Sequence, residues 1–227
     1  MIKNVFLDLD GTIFDFHASE KVAVRETMEK FGIAPTDDNI AAYKQINISQ
    51  WKLLELGKIT REALRVRRFE LFFEAINVNA PADAAATYYE NSLMTKCNYI
   101  PHGKELLCEL YGKYRLYLAT NGYEKTQRGR IETSGIGRYF DGIFISQAIG
   151  YDKPSREYFS HCFDKIPDFK KEETVMIGDS LSSDILGADN AGIASIWFNP
   201  GGDAPVGARP DFIVAKLCDI LPLLEKM

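Results

Sequence analysis

Five short runs of strand-forming residues recur along the chain, Val5 to Leu9, Arg115 to Ala119, Ile143 to Ile145, Thr174 to Ile177 and Ser195 to Phe198, with helix-length segments between them. Parallel strands need long crossover connections, and helices supply them. This alternation therefore predicts a parallel sheet covered by helices on both faces, an α/β fold. A short strand near Phe212 to Val214 and a last helix from Lys216 complete the pattern. Sheets of this kind gather ligands at the carboxyl ends of their strands, so the chemistry is expected there.

One stretch breaks the alternation. Between Phe16 and about Thr95 the pattern is helical: Val24, Met28 and Phe31 share one helix face, as do Leu64, Leu71, Phe72 and Ala75. Gly32 and Gly57 fit helix ends, Thr60 a helix cap and Pro81 a helix start. The expected organisation is a core of residues 1–15 and 96–227, with an all-helical cap, residues 16–95, inserted after the first strand. Asn199 to Pro210, rich in Gly and Pro, reads as a surface loop.

The rest of the composition narrows the function classes. A chain of 227 residues can bury an ordinary core. Its net charge of −5 argues against a nucleic-acid polymer or an anionic membrane as partner. The opening MIKNVFLDLD runs straight into an acidic strand end without the pattern of a secretory signal, and no apolar run approaches membrane-spanning length. Cys97, Cys108, Cys162 and Cys218 are scattered without CxxC spacing and read as free thiols. A cytoplasmic protein, monomeric or weakly dimeric, is expected.

Chemistry concentrates in four places. Asp8 and Asp10 in DLDGT close the first strand, and crowded carboxylates at a strand end are costly unless a cation intervenes. Asp179 follows the strand Thr174 to Ile177, with Asp184 five residues on. Carboxylate oxygens, a backbone carbonyl, water and phosphate are ligands that magnesium accepts, and no histidine cluster competes for a softer metal. Thr120-Asn121-Gly122 ends a third strand and offers a hydroxyl, an amide and a helix start to a phosphate. Lys153 supplies a positive charge for the transferring group.

In this order, DLDGT, ATNG, DKP and GDSLSSD resemble the motif set of the haloacid dehalogenase superfamily, over nearly the whole chain. The resemblance implies a Rossmann-like core with a helical cap and a phosphatase dependent on Mg2+. In that family the position matching Asp8 is nucleophile and metal ligand. The position matching Asp10 gives its carbonyl to the metal and its side chain to acid and base catalysis. The match implies that Thr120, Asn121 and Lys153 bind phosphate, that Asp179 binds the metal and that Asp184 supports it. The reaction implied is attack by Asp8 on a small phosphate monoester, followed by hydrolysis of the aspartyl phosphate.

Within the family, the cap run NISQWKLLELGKIT resembles that of bacterial pyrimidine 5′-nucleotidases. On that reading Trp51 offers an indole to stack on a base and Asn47 an amide to read its edge, the alternative for Trp51 being simple packing. Arg68 reads as a solvated helix residue, the alternative being a substrate contact, and His17 as a loop residue, the alternative being a place at the site's entrance. A sugar-phosphate phosphatase or a β-phosphoglucomutase-like phosphotransferase is the alternative activity, since it shares both motif aspartates. Metal-free attack on carbon leaves Asp10 and Asp179 without a task.

Overall fold

The computed structural model describes residues 1–227, and each of the apolar runs forms a strand. In chain order the elements are β1 (Asn4–Leu7), α1 (Phe16–Lys30), α2 (Asp37–Glu55), α3 (Arg61–Ala75), α4 (Ala82–Leu93), α5 (Gly103–Leu110), β2 (Arg115–Thr120), α6 (Glu124–Ser134), β3 (Gly142–Ile145), α7 (Ser146–Ile149), α8 (Arg156–Phe163), β4 (Thr174–Gly178), α9 (Leu186–Ala191), β5 (Ala194–Phe198), β6 (Phe212–Val214) and α10 (Ile220–Leu224). They divide into two units, one of Met1–Phe16 with Cys97–Met227, the other His17–Lys96.

In the first unit all five strand pairings are parallel, and the order is β3-β2-β1-β4-β5-β6. The winding direction reverses between β1 and β4, and ligands of such sheets bind outside the strand ends at this reversal. Strand residues alternate between two apolar clusters. Val5, Leu7, Leu118 and Ile177 pack with Leu106, Leu110 and Ile220 from α5 and α10. Phe6, Tyr117, Ala119 and Met176 pack with Tyr158, Phe159 and Ala188 from α8 and α9. A period of two feeding two cores is what a sheet buried on both faces requires.

The first strand is shorter than its sequence suggests. It stops at Leu7, because the chain turns after Leu9: the amides of Ile13 and Phe14 donate to the Leu9 carbonyl at 3.0 and 2.8 Å. The last helix is also reduced, to a tight turn over Leu217–Asp219 before the five-residue α10. The four cysteines are free thiols. No helix is long and apolar enough to cross a membrane.

The second unit is built from α1 to α4. Thr36 and Thr60 cap α2 and α3 by accepting from the amides of Asn39 and Ala63. Its centre is aromatic: Tyr43 lies 5.2 Å from Phe69 and 5.9 Å from Tyr89 between ring centroids. Ala75, assigned to the apolar face of α3 on periodicity, is exposed, and Phe69 and Phe73 are buried instead. Larger rings remove more apolar surface from water, so they win that face.

A polar network runs through this unit. Glu20 Oε1 accepts from Asn47 Nδ2 at 2.7 Å, and Arg68 Nη1 donates to Asn47 Oδ1 at 3.2 Å. Arg68, expected at the surface, is 2% exposed, its guanidinium 4.6 Å above the Tyr89 ring. Burial pushes the Glu20 carboxyl up from 4.5 to about 7, against the opposing pull of Arg68.

An acid whose pKa is raised by folding adds stability that is complete below about pH 4.5 and is lost as the pH climbs through about 7. Glu20→Gln should therefore stabilise the protein at about pH 8, by on the order of 3 kcal/mol at 1.36 kcal/mol per pKa unit. Little change is expected near pH 4. Urea unfolding of both proteins at the two pH values measures the difference.

Candidate active site

Asp8 follows β1 directly, and its amide donates to the Ile177 carbonyl at 2.9 Å, extending the pairing with β4 by one residue. The chain then folds back, the Gly11 amide donating to the Phe14 carbonyl at 2.8 Å. Gly11 has φ +91, a left-handed conformation that other residues resist, and a Cβ there would strike the carboxylate of Asp179. The motif glycine thus permits the turn and leaves room for a carboxylate from the neighbouring strand end.

Lys153 lies at the centre. Its Nζ donates to Asp8 Oδ1 at 2.7 Å, to Asp184 Oδ1 at 2.6 Å and to the Ala119 carbonyl at 2.7 Å. An ammonium has three donors, and here all three are used. Asn121, expected on a phosphate, instead clasps the Lys153 backbone: Nδ2 donates to its carbonyl and Oδ1 accepts from its amide, each at 2.9 Å. One of its amide hydrogens and its oxygen thus hold the lysine in place.

Asp184 reaches the lysine from a widened helical turn, Leu181–Ile185, in which the Ile185 amide reaches back five residues to the Ser180 carbonyl at 3.2 Å. Such widened turns recur at functional sites. The second oxygen of Asp184 accepts from the Ser180 amide at 3.0 Å, and Gly178 has no Cβ to occupy its space. Asp179 is fixed through its backbone, whose carbonyl accepts from Trp197 Nε1 at 2.8 Å. Thr12 donates more weakly to its Oδ1, at 3.4 Å.

Oxygens of Asp8, Asp179 and Asp184 lie within 4.8 Å of one another. Burial raises the Asp8 carboxyl well above its ordinary range; Lys153 opposes the shift, while Asp184 and Asp179 add to it. Asp179 is pushed up to about 7, by burial first and by Asp184 second. Burial alone would lower Lys153, but Asp184 and Asp8 outweigh it and raise its pKa, so it stays charged. Three close carboxylates against one ammonium leave negative charge to be balanced, and the donors are all oxygen. That set fits a hard divalent cation such as magnesium.

Asp10 faces a different group. Arg130 Nη1 donates to its Oδ1 at 2.5 Å, and Gln127 Nε2 to its Oδ2 at 2.8 Å. Gln127 Nε2 also donates to Thr120 Oγ1 at 2.8 Å. Sequence reading missed Gln127 and Arg130. The available signal was their spacing of three on the helix that follows Thr120-Asn121-Gly122, which puts both on one face.

The two remaining candidates belong to the helical unit. Asn47 is 3% exposed, and both ends of its amide engage that unit's own residues, Glu20 and Arg68. Trp51 is half-buried on α2, with the Arg61 guanidinium 5.6 Å from its ring centroid.

The family model described as haloacid dehalogenase-like hydrolase matches residues 5–198. YfnB of Bacillus subtilis is 36% identical over 224 residues, 98% of this chain and 95% of its own. Its orthorhombic crystal structure, bound to magnesium, has a TM-score of 0.94 over 98% of both chains. Two proteins named pyrimidine 5′-nucleotidase also align: PynA of Streptococcus pneumoniae, 35% identical over 99% of this chain and 95% of its own, and YjjG of Escherichia coli, 29% identical over 98% and 97%.

Removing the ammonium while leaving its acceptors strands two buried carboxylates. Lys153→Met should lower stability by about 3–5 kcal/mol, read by urea unfolding with chelator present. Adding Asp184→Asn should restore part of the loss.

Proposed function

Because the chain belongs to the haloacid dehalogenase-like hydrolase family, we propose that it hydrolyses phosphate monoesters through an aspartyl phosphate on Asp8, with pyrimidine nucleoside 5′-monophosphates as its substrates. The observation that carries this reading is the Asp8 carboxylate, fixed by Lys153 within a cluster of oxygen donors at the sheet's switch point. The near-complete alignment with two proteins named pyrimidine 5′-nucleotidase supports the substrate class.

Asp8, Asp179 and the backbone carbonyl of Asp10 would hold magnesium, with Asp184 beside them. When bound, magnesium supplies positive charge against the phosphoryl oxygens and the attacking carboxylate. Asp8 attacks phosphorus, and Lys153 neutralises charge that would otherwise repel it. The Thr120 hydroxyl, whose oxygen already accepts from Gln127, keeps its hydrogen for a phosphate oxygen. Asp10 gives a proton to the departing alkoxide and takes one from the water that cleaves the aspartyl phosphate. Substrate selection is assigned to the helical unit, residues 17–96, as a cap, with Trp51 as its aromatic contact.

Phosphate release across pyrimidine nucleoside monophosphates, sugar phosphates and phosphoglycolate, with magnesium, tests the substrate class. Turnover of sugar phosphates alone would overturn the nucleotidase reading and keep the phosphatase one. Asp8→Asn should lose at least about 1000-fold in kcat. At a hundredfold excess over Kd, magnesium should raise Tm by roughly 5–10 °C in the wild type, and by much less in Asp179→Asn.

A further inference from the structure

Asp8 and Asp10 are two residues apart but are held by different partners. Asp8 is bound by a buried lysine, whereas Asp10, with 22% of its side chain exposed, is held by Arg130, with 0%. The donors on Asp10 therefore come from the protein interior, while the carboxylate retains an open side. Arg130 is itself held: its guanidinium lies 5.0 Å from the ring centroid of Phe14 and 5.9 Å from that of Phe16.

Gln127 ties this pair to the phosphate-binding threonine. Its two amide hydrogens go to Asp10 Oδ2 and Thr120 Oγ1, both at 2.8 Å, and its Oε1 accepts from Arg130 Nη1 at 3.1 Å. With acceptors on one side and a cation on the other, the amide has only one orientation that satisfies every contact. Gly122 makes space for it. A Cβ at that position would lie 2.9 Å from both Cγ and Nε2 of Gln127, so any larger residue pushes Gln127 off its two acceptors.

The geometry points to Gln127 and Arg130 as positioning residues that aim the Asp10 carboxylate and the Thr120 hydroxyl together, with Gly122 as the space they need. The inference rests on reading Asp10 as the acid and base of a phosphatase. In the first half-reaction an Asp8 oxygen bonds to phosphorus, the bond from phosphorus to the ester oxygen breaks, and Asp10 passes its proton to that oxygen. In the second, Asp10 takes a proton from water, the water oxygen bonds to phosphorus, and the Asp8 oxygen leaves with its bonding pair. Both transfers require Asp10 within hydrogen-bond reach of the reacting oxygen, and Gln127 and Arg130 set that placement.

The test compares two leaving groups. A departing alkoxide needs a proton from Asp10, whereas p-nitrophenolate leaves without one. With magnesium present, kcat/KM is measured for uridine 5′-monophosphate, or the alkyl phosphate most active in the screen, and for p-nitrophenyl phosphate. The proteins are the wild type, Asp10→Asn, Gln127→Leu, Arg130→Met and Gly122→Ala.

Asp10→Asn sets the reference pattern. Arg130→Met is expected to follow it, losing about 100-fold on the alkyl ester and staying within about 5-fold on the aryl ester, whereas Gln127→Leu, which also releases Thr120, should lose on both esters and about 100-fold more on the alkyl one. A burst of p-nitrophenolate should precede a slowed steady state, because hydrolysis of the aspartyl phosphate still needs Asp10. Gly122→Ala should show the same selective loss in weaker form without touching either side chain's chemistry, and it keeps the test open should Arg130→Met not fold. Equal losses on both esters, or none, overturn the inference while the phosphatase reading stands. An Asp10→Asn protein that retains full activity on both esters, or a wild type inert on both, overturns the reading itself and the inference with it.

Discussion

A buried ammonium group has to find three acceptors, and the architecture of the carboxyl edge follows from how Lys153 finds them. Asp8 comes from the end of β1, the Ala119 carbonyl from β2, and Asp184 from the turn after β4. Taking a cation and two carboxylates out of water is tolerable only when the geometry satisfies all of them. The surrounding details serve that geometry. Asn121 grips the lysine backbone, the widened turn at Leu181–Ile185 carries Asp184 to it, and Gly178 leaves the space. Three strand ends are thus pinned at one point.

The same economy of space explains why the two motif aspartates lie in different surroundings, as the roles proposed for them require. The strand ends at Leu7, and the chain has turned by Gly11, so Asp8 and Asp10 do not share surroundings despite their spacing. One enters a buried group of carboxylates with negative charge to spare, the other a half-open position flanked by a buried guanidinium and an amide. A nucleophile needs fixed charge partners and little water, whereas a proton carrier needs access to a leaving group and then to a water molecule. Local backbone geometry separates the two environments.

Much of this was legible in the sequence because the relevant residues break local rules. Acidic residues closing an apolar strand, as at Asp8 and Asp179, are conspicuous, and a parallel sheet says where they must meet. Lys153 could be assigned to the site, but its threefold coordination could not, since that depends on a carbonyl from β2. Asn121 was read as a ligand for phosphate because its type allowed it; only the fold reveals that its amide faces the lysine backbone. Gln127 and Arg130 were overlooked for the opposite reason. On a helix whose other residues include Glu124, Lys125 and Arg128, two more polar side chains look like ordinary solvated surface. Arg68 misled in the same way, since aromatic rings and Asn47 bury a charge that its Arg-rich stretch of helix suggested was solvated.

The parallel order of the sheet has a consequence for the protein's synthesis. Asp8 leaves the ribosome 145 positions before Lys153, and Asp184 follows later still. At about 5–20 residues per second, roughly 10–40 s pass before every charged group of the centre has been made. Until then the nascent chain holds Asp8 without its ammonium partner and a central strand without its β4 neighbour. Products of translation that stops before residue 153 therefore lack the ammonium that pins the three strand ends.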